Sequence, residues 1–174
     1  MTALVIWITG LPASGKTTIA NLLKSYYQKR NLPVEILDGD ELRKTLSRDL
    51  GFSPEDRKEH NRRVIDAARK LSESGITTIV PVIAPYGETR DFARSQIQNF
   101  VEVWTKASLD ECIRRDPKRL YKRALAGEIK NLTGLQAPYE EPKNPELIID
   151  TEKHTPQECL EMLVTTLTKL GYLQ

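Results

Sequence analysis

ALVIWITGLPASGKT, residues 3–17, decides the fold. Residues 3–9 form an unbroken apolar run, the pattern of a parallel strand buried on both faces. Residues 10–17 then match the phosphate loop G-x-x-x-x-G-K-[ST], and a helical pattern begins at Lys16. Glycines let such a loop curl until its N–H groups converge on phosphate oxygens, and the following helix N-terminus reinforces the grip. Gly10, Leu11, Pro12, Ala13, Ser14 and Gly15 are thus expected to cradle the phosphates of ATP or a similar nucleotide, with Thr18 completing the donor site. Lys16 is expected to reach the β- and γ-phosphates, and the Thr17 hydroxyl to hold Mg²⁺.

The rest of the chain repeats the strand–helix alternation. Further strands are expected at 34–38, 76–84, 100–105 and 146–150, and helices near 16–29, 41–48, 55–74, 89–98, 108–115 and 156–170. This is the signature of an α/β fold: a P-loop NTPase-type parallel β-sheet flanked by helices on both faces. Residues 116–145 break the rhythm. Punctuated by proline and glycine, and carrying Lys118, Arg119, Lys122, Arg123 and Lys130, they read as a basic lid able to neutralise phosphates on closure. The 174 residues suit one kinase domain, 1–174, and leave no room for two comfortable ones.

Composition narrows the function. A net charge of +2 carries no general polyanion signature, and no exposed aromatics interleave with the basic residues, so no nucleic acid partner is expected. Cys112 and Cys159 form no C-x-x-C pair, which argues against a zinc site or disulfide framework and fits a reducing, cytoplasmic setting. No run is long enough to span a bilayer, and neither a leader nor a membrane partner is expected. A GTPase would need N/T-K-x-D and D-x-x-G, but TKAS at 105–108 lacks the aspartate.

The second strand ends in LDGD, residues 37–40, which suits a small kinase. Asp38 is placed near the Mg²⁺ and its waters, and Asp40 facing an acceptor hydroxyl; an aspartate at position 40 can also cap the helix that follows. Arg43 stands one turn later, and Arg57 and Asn61 share a helix face. Guanidinium forks suit an anionic acceptor, although surface pairing with Asp49, Asp56 or Glu59 is the plainer use of such arginines. Phe52, beside Gly51, reads either as a substrate platform or as an anchor onto the core.

GLPASGKT, LDGDELR, DLGFSPEDR, APY, RDPKRLYKRALAGEIK, LTGLQAPYE and PELIIDT occur in the order seen in adenylyl-sulfate kinases (APS kinases), which the sequence resembles over nearly its whole length. The resemblance implies transfer of the ATP γ-phosphate to the 3′-hydroxyl of adenosine 5′-phosphosulfate (APS), in sulfate assimilation. It implies catalytic roles for Lys16, Asp40 and Lys122, the last between donor and acceptor phosphates. Arg43 and Arg57 would hold the phosphosulfate, Phe52 would stack on the acceptor adenine, and Arg115 would lie near the ATP adenine. His60, Ile83 and Leu132 complete the acceptor set, and a homodimer is compatible with kinases of this type.

The sequence departs from the family pattern in five places. His60 replaces an asparagine, Leu132 a phenylalanine, Gly87 an arginine and Lys106 an aspartate. Ala84 replaces a serine sometimes assigned as a phosphorylated intermediate, so direct in-line transfer is the expected route. The acceptor side therefore leaves two alternatives open: a relative phosphorylating another nucleotide or nucleoside diphosphate derivative, and a non-catalytic nucleotide-binding regulatory module.

Overall fold

The structure, a computed structural model, describes residues 2–174. Strands β1 (Val5–Thr9), β2 (Val34–Ile36), β3 (Thr77–Pro81), β4 (Phe100–Lys106) and β5 (Leu147–Asp150) form one all-parallel sheet in the order β2-β3-β1-β4-β5. Helices α1 (Lys16–Gln28), α2 (Gly39–Lys44), α3 (Pro54–Glu73), α4 (Gly87–Gln96), α5 (Leu109–Arg115), α6 (Leu120–Leu125) and α7 (Pro156–Lys169) connect and flank it.

The central strand shows why its apolar run is unbroken. Ile6 and Ile8 pack into a core with Ile19 and Leu23 of α1 and Leu163 and Leu167 of α7. Val5 and Trp7 point the other way, into a second core with Val64, Ile65 and Ala68 of α3 and Ala93 of α4. All four strand residues are fully buried. Each such side chain contributes roughly 1.5–3 kcal/mol on leaving water.

Helix starts follow local chemistry. The Ser53 hydroxyl accepts from Asp56 N ahead of Pro54, and Thr155 and Glu158 form a reciprocal capping box before α7. At α2 the cap is Asp38, whose carboxylate accepts from Asp40 N at 2.9 Å and Glu41 N at 3.4 Å. Capping therefore falls to Asp38, and the Asp40 side chain is left free of that duty.

One expected boundary is corrected. The third strand ends at Pro81, not 84, because residues 82–85 leave the sheet to line a cavity. The 116–145 segment contains α6, and its Tyr121, Ala124 and Leu132 form a small apolar cluster with Cys112 of α5. Among the described residues no helix is long and apolar enough to cross a membrane.

With β1 central and the chain moving to opposite sides of it, the carboxyl ends of the strands border a crevice. In open parallel sheets this is where ligands bind.

Candidate active site

The phosphate loop leaves the carboxyl end of β1. Gly15 takes φ 100° and Ala13 φ 65°, both left-handed, a conformation natural for glycine and strained for alanine. The loop carbonyls are satisfied by the protein itself. Lys16 Nζ donates to Gly10 O at 3.0 Å and Leu11 O at 2.7 Å, Tyr121 Oη to Pro12 O at 2.8 Å, and Thr151 Oγ1 to Ser14 O at 2.8 Å. These bonds brace the loop shape. Burial pushes the Lys16 ammonium down to about 8, so its charge is held at a desolvation cost that an incoming polyphosphate would relieve.

Around this loop lie two openings. A small cavity of about 110 Å³ is lined by Lys16, Thr17, Asp38, Asp116 and Pro117. A second, of about 330 Å³, lies beside Gly15 and Thr18 and is lined by Arg115, Thr151 and His154. Arg115 is fixed there by Glu111 Oε1 at 2.8 Å and by Thr151 Oγ1 and O at 3.0 and 2.8 Å. Thr17 Oγ1 lies 3.5 Å from Asp38 Oδ2. These hard oxygen donors fit Mg²⁺, which prefers one or two protein ligands with water and phosphate oxygens completing its shell. Among the described residues no cluster of three or more His, Cys, Asp or Glu side chains could hold a metal unaided.

A larger cavity, about 540 Å³, lies beyond the carboxyl end of β3 and is lined by Arg43, Phe52, Arg57, His60, Ile83 and Leu132, among others. It brings together all the acceptor residues read from the sequence except Lys122. Phe52 is 55% exposed, which excludes the core-anchor reading, and its ring lies 4.4 Å from the Arg43 guanidinium. Arg43 Nη1 donates to Gly51 O at 2.8 Å.

Arg57 is buried and tied to the covering segment: Nη1 donates to Thr133 Oγ1 at 2.7 Å, Nη2 to Asn131 O and Nε to Phe52 O. Neither arginine makes the surface pairs available to it. Arg63 takes Asp49, and Arg62 and Arg63 both take Glu59. Leu132 is nearly buried and packs with Tyr121 and Ala124 while still forming part of the wall.

His60 is 2% exposed and its Nδ1 has no partner. Burial is the main cause that lowers its pKa to about 4, helped by the nearby Arg43 charge, so the imidazole is neutral at pH 7. Between the ordinary value of 6.5 and about 4, the unfolded chain binds a proton that the folded chain refuses. His60 therefore withdraws stability as pH falls through that window and is neutral in effect above it. A His60→Asn protein should lose fewer degrees of Tm between pH 7 and pH 4.5 than the natural protein; equal losses would refute the burial argument.

Lys122, expected between donor and acceptor phosphates, stands apart from the other site residues. It is exposed on α6 and lines none of the three cavities. Lys118 borders both cavities: its Nζ is 2.7 Å from Asp40 Oδ2, and both residues line the small and the large cavity alike. Burial opposes the Asp40 charge, but Lys118, Lys16 and Arg43 outweigh it and hold the carboxyl below the usual range. Asp40 in turn raises Lys118. Lys118 precedes α6, after which Arg119 takes a left-handed φ of 56°, so residues 118 and 122 do not share a helix face despite their spacing. Tyr121 and Thr151, which fix the phosphate loop, lie within the quoted motifs RDPKRLYKRALAGEIK and PELIIDT, but no residue chemistry singles them out.

A phosphate loop feeding one cavity, an aspartate–lysine pair at the border of the next, and a five-stranded parallel sheet define a P-loop kinase of small molecules. The family model described as adenylylsulphate kinase matches residues 2–150, and the chain belongs to that family. It is 52% identical over 150 residues to a probable adenylyl-sulfate kinase of Archaeoglobus fulgidus, covering 86% of this chain and 97% of that protein. It is 48% identical over 164 residues to an adenylyl-sulfate kinase of Staphylococcus carnosus, covering 93% and 82%. The fold superposes with a TM-score of 0.92 on the APS kinase of Mycobacterium tuberculosis in complex with AMPPNP and APS, at 38% identity, covering 96% of this chain and 98% of that one.

Proposed function

We propose that this protein is an adenylyl-sulfate kinase, transferring the γ-phosphate of ATP to the 3′-hydroxyl of APS to give 3′-phosphoadenylyl sulfate and ADP. The observation that carries this reading is the meeting of the donor and acceptor cavities at Asp40 and Lys118. Family membership names the acceptor.

Phosphoryl transfer needs alignment and charge neutralisation more than covalent help. The loop amides and Lys16 hold the triphosphate, and Arg115 borders its base. Thr17, with Asp38 nearby, would hold Mg²⁺, which would supply charge neutralisation on the phosphates. In the large cavity Phe52 stacks on the acceptor base, with His60, Ile83 and Leu132 completing its surroundings. Arg43 and the remaining N–H groups of Arg57 face the phosphosulfate. Asp40, ionised at neutral pH, accepts a hydrogen bond from the 3′-hydroxyl and aims its oxygen at the γ-phosphorus. Lys118 neutralises charge as the phosphoryl group passes between the cavities. Ala84 offers no hydroxyl, so transfer is direct.

The same reading makes 1–174 one kinase domain with its lid at 116–145, and places the protein in the cytoplasm. Its partners are small molecules rather than nucleic acid or membrane, and a homodimer is compatible with it.

Purified protein with Mg·ATP and a panel of nucleotide acceptors tests the function: APS at micromolar levels should release ADP fastest. Turnover of another nucleotide with none of APS would move the assignment to a related kinase, and ATP binding without any turnover would point to a regulatory module. Base–aromatic stacking is worth about 1–3 kcal/mol, so Phe52→Ala should raise KM for APS by about tenfold with KM for ATP unchanged. An unchanged APS KM would remove Phe52 from the site.

A further inference from the structure

Ile83, Ala84 and Pro85 line the large cavity, and their three consecutive carbonyls are held from behind. Thr9 Oγ1 donates to Ile83 O at 2.6 Å, Arg90 Nη1 to Ala84 O at 2.6 Å, and Glu140 N to Pro85 O at 2.8 Å. Ala84 has φ 43°, a left-handed conformation unfavourable for a residue with a Cβ, so the loop relies on these bonds for its shape.

The same groups grip the far end of the 116–145 segment. Arg90 Nη2 donates to Glu140 O at 2.5 Å, and Glu140 Oε2 accepts from Gly87 N at 2.7 Å. Tyr139 Oη lies 2.9 Å from Thr9 Oγ1, and the Arg90 guanidinium 5.7 Å from the centre of the Tyr139 ring. Arg90 is 3% exposed, and its Nε lies 3.2 Å from Glu102 Oε1 on β4. None of Thr9, Arg90, Tyr139 or Glu140 lines the cavity itself.

A buried guanidinium requires a counter-charge, and Glu102 provides it. Charge balance alone does not explain why both Nη atoms reach carbonyls on two separate segments. One segment is the cavity wall. The other continues to Asn131 and Thr133, which Arg57 pins from α3 at the opposite side.

We propose that Arg90 is a positioning residue for the acceptor: by holding Ala84 O and Glu140 O in one fork it sets the cavity wall against the segment that closes over it. The inference rests on the acceptor reading of this cavity. Its effect belongs to acceptor binding and not to ATP, because the phosphate loop is braced by other residues.

Arg90→Lys keeps the charge opposite Glu102 but cannot fork to both carbonyls. Glu140→Ala removes only the exposed link to Gly87 and leaves the buried charges in place. Arg90→Lys is expected to raise KM for APS by about tenfold or more, and Glu140→Ala by about threefold, with KM for ATP within about twofold. A merely structural role would lower Tm and the active fraction while leaving both KM values unchanged, and that result would overturn the proposal. Should Arg90→Lys fail to fold, Glu140→Ala decides alone, an unchanged APS KM again counting against it. Absence of APS turnover in the natural protein would instead sink the acceptor reading, and this inference with it.

Discussion

Asp40→Ala should lower kcat by roughly 10³ while ATP binds as before, the loss expected when a positioned proton acceptor is removed. The side chain is free for this role because Asp38, not Asp40, caps α2. Its carboxyl is held below the usual range by cations despite burial, so it is ionised throughout the neutral range. An ionised carboxylate orients the acceptor hydroxyl and receives its proton late, as the bond to phosphorus forms. Asp40→Asn, which preserves the shape, should be nearly as damaged. Near-normal turnover in either variant, measured as ADP release with saturating APS, would remove Asp40 from the mechanism.

Lys118→Ala should lower kcat by about 10²–10³, the range for loss of a group that stabilises transition-state charge. Lys122→Ala, four residues on, should stay within about twofold, since removal of an exposed surface group is ordinarily small in effect. The contrast follows from placement: Lys118 borders both cavities and Lys122 borders neither. A second effect has a definite sign. Lys118 holds the Asp40 pKa down, so its removal raises that pKa and moves the acid limb of the pH–rate profile to higher pH. A larger loss from Lys122→Ala than from Lys118→Ala would reverse the placement.

The central part of the fold is legible in the chain because local pattern and tertiary role agree there. The run ALVIWI is apolar at every position, and in the structure Ile6 and Ile8 face one core while Val5 and Trp7 face the other. The apolar residues 82–84 were misleading for a related reason. Hydropathy records removal from water, and a cavity wall satisfies it as well as a neighbouring strand does. Phe52 and Arg43 are named as acceptor residues through the family motifs LDGDELR and DLGFSPEDR, because local context alone leaves Phe52 open between platform and anchor and Arg43 open to surface pairing.

The pairings within the site, unlike some of its residues, lack any local signature. Arg57 meets Thr133 across 76 residues, and Arg90 meets Glu140 across 50. Such pairs arise only when the sheet order brings distant segments together, so no spacing rule announces them. The different placement of Lys118 and Lys122 has the same origin. Both are basic residues of one segment, and only the left-handed turn at Arg119 separates their directions.

The most direct measurement follows the phosphoryl group itself. With Mg²⁺, γ-labelled ATP and APS, the label should appear on the 3′-oxygen of the sulfonucleotide, with one ADP formed per labelled product. Label released only as inorganic phosphate, or carried by a different acceptor while APS remains unmodified, would contradict the assignment of the large cavity.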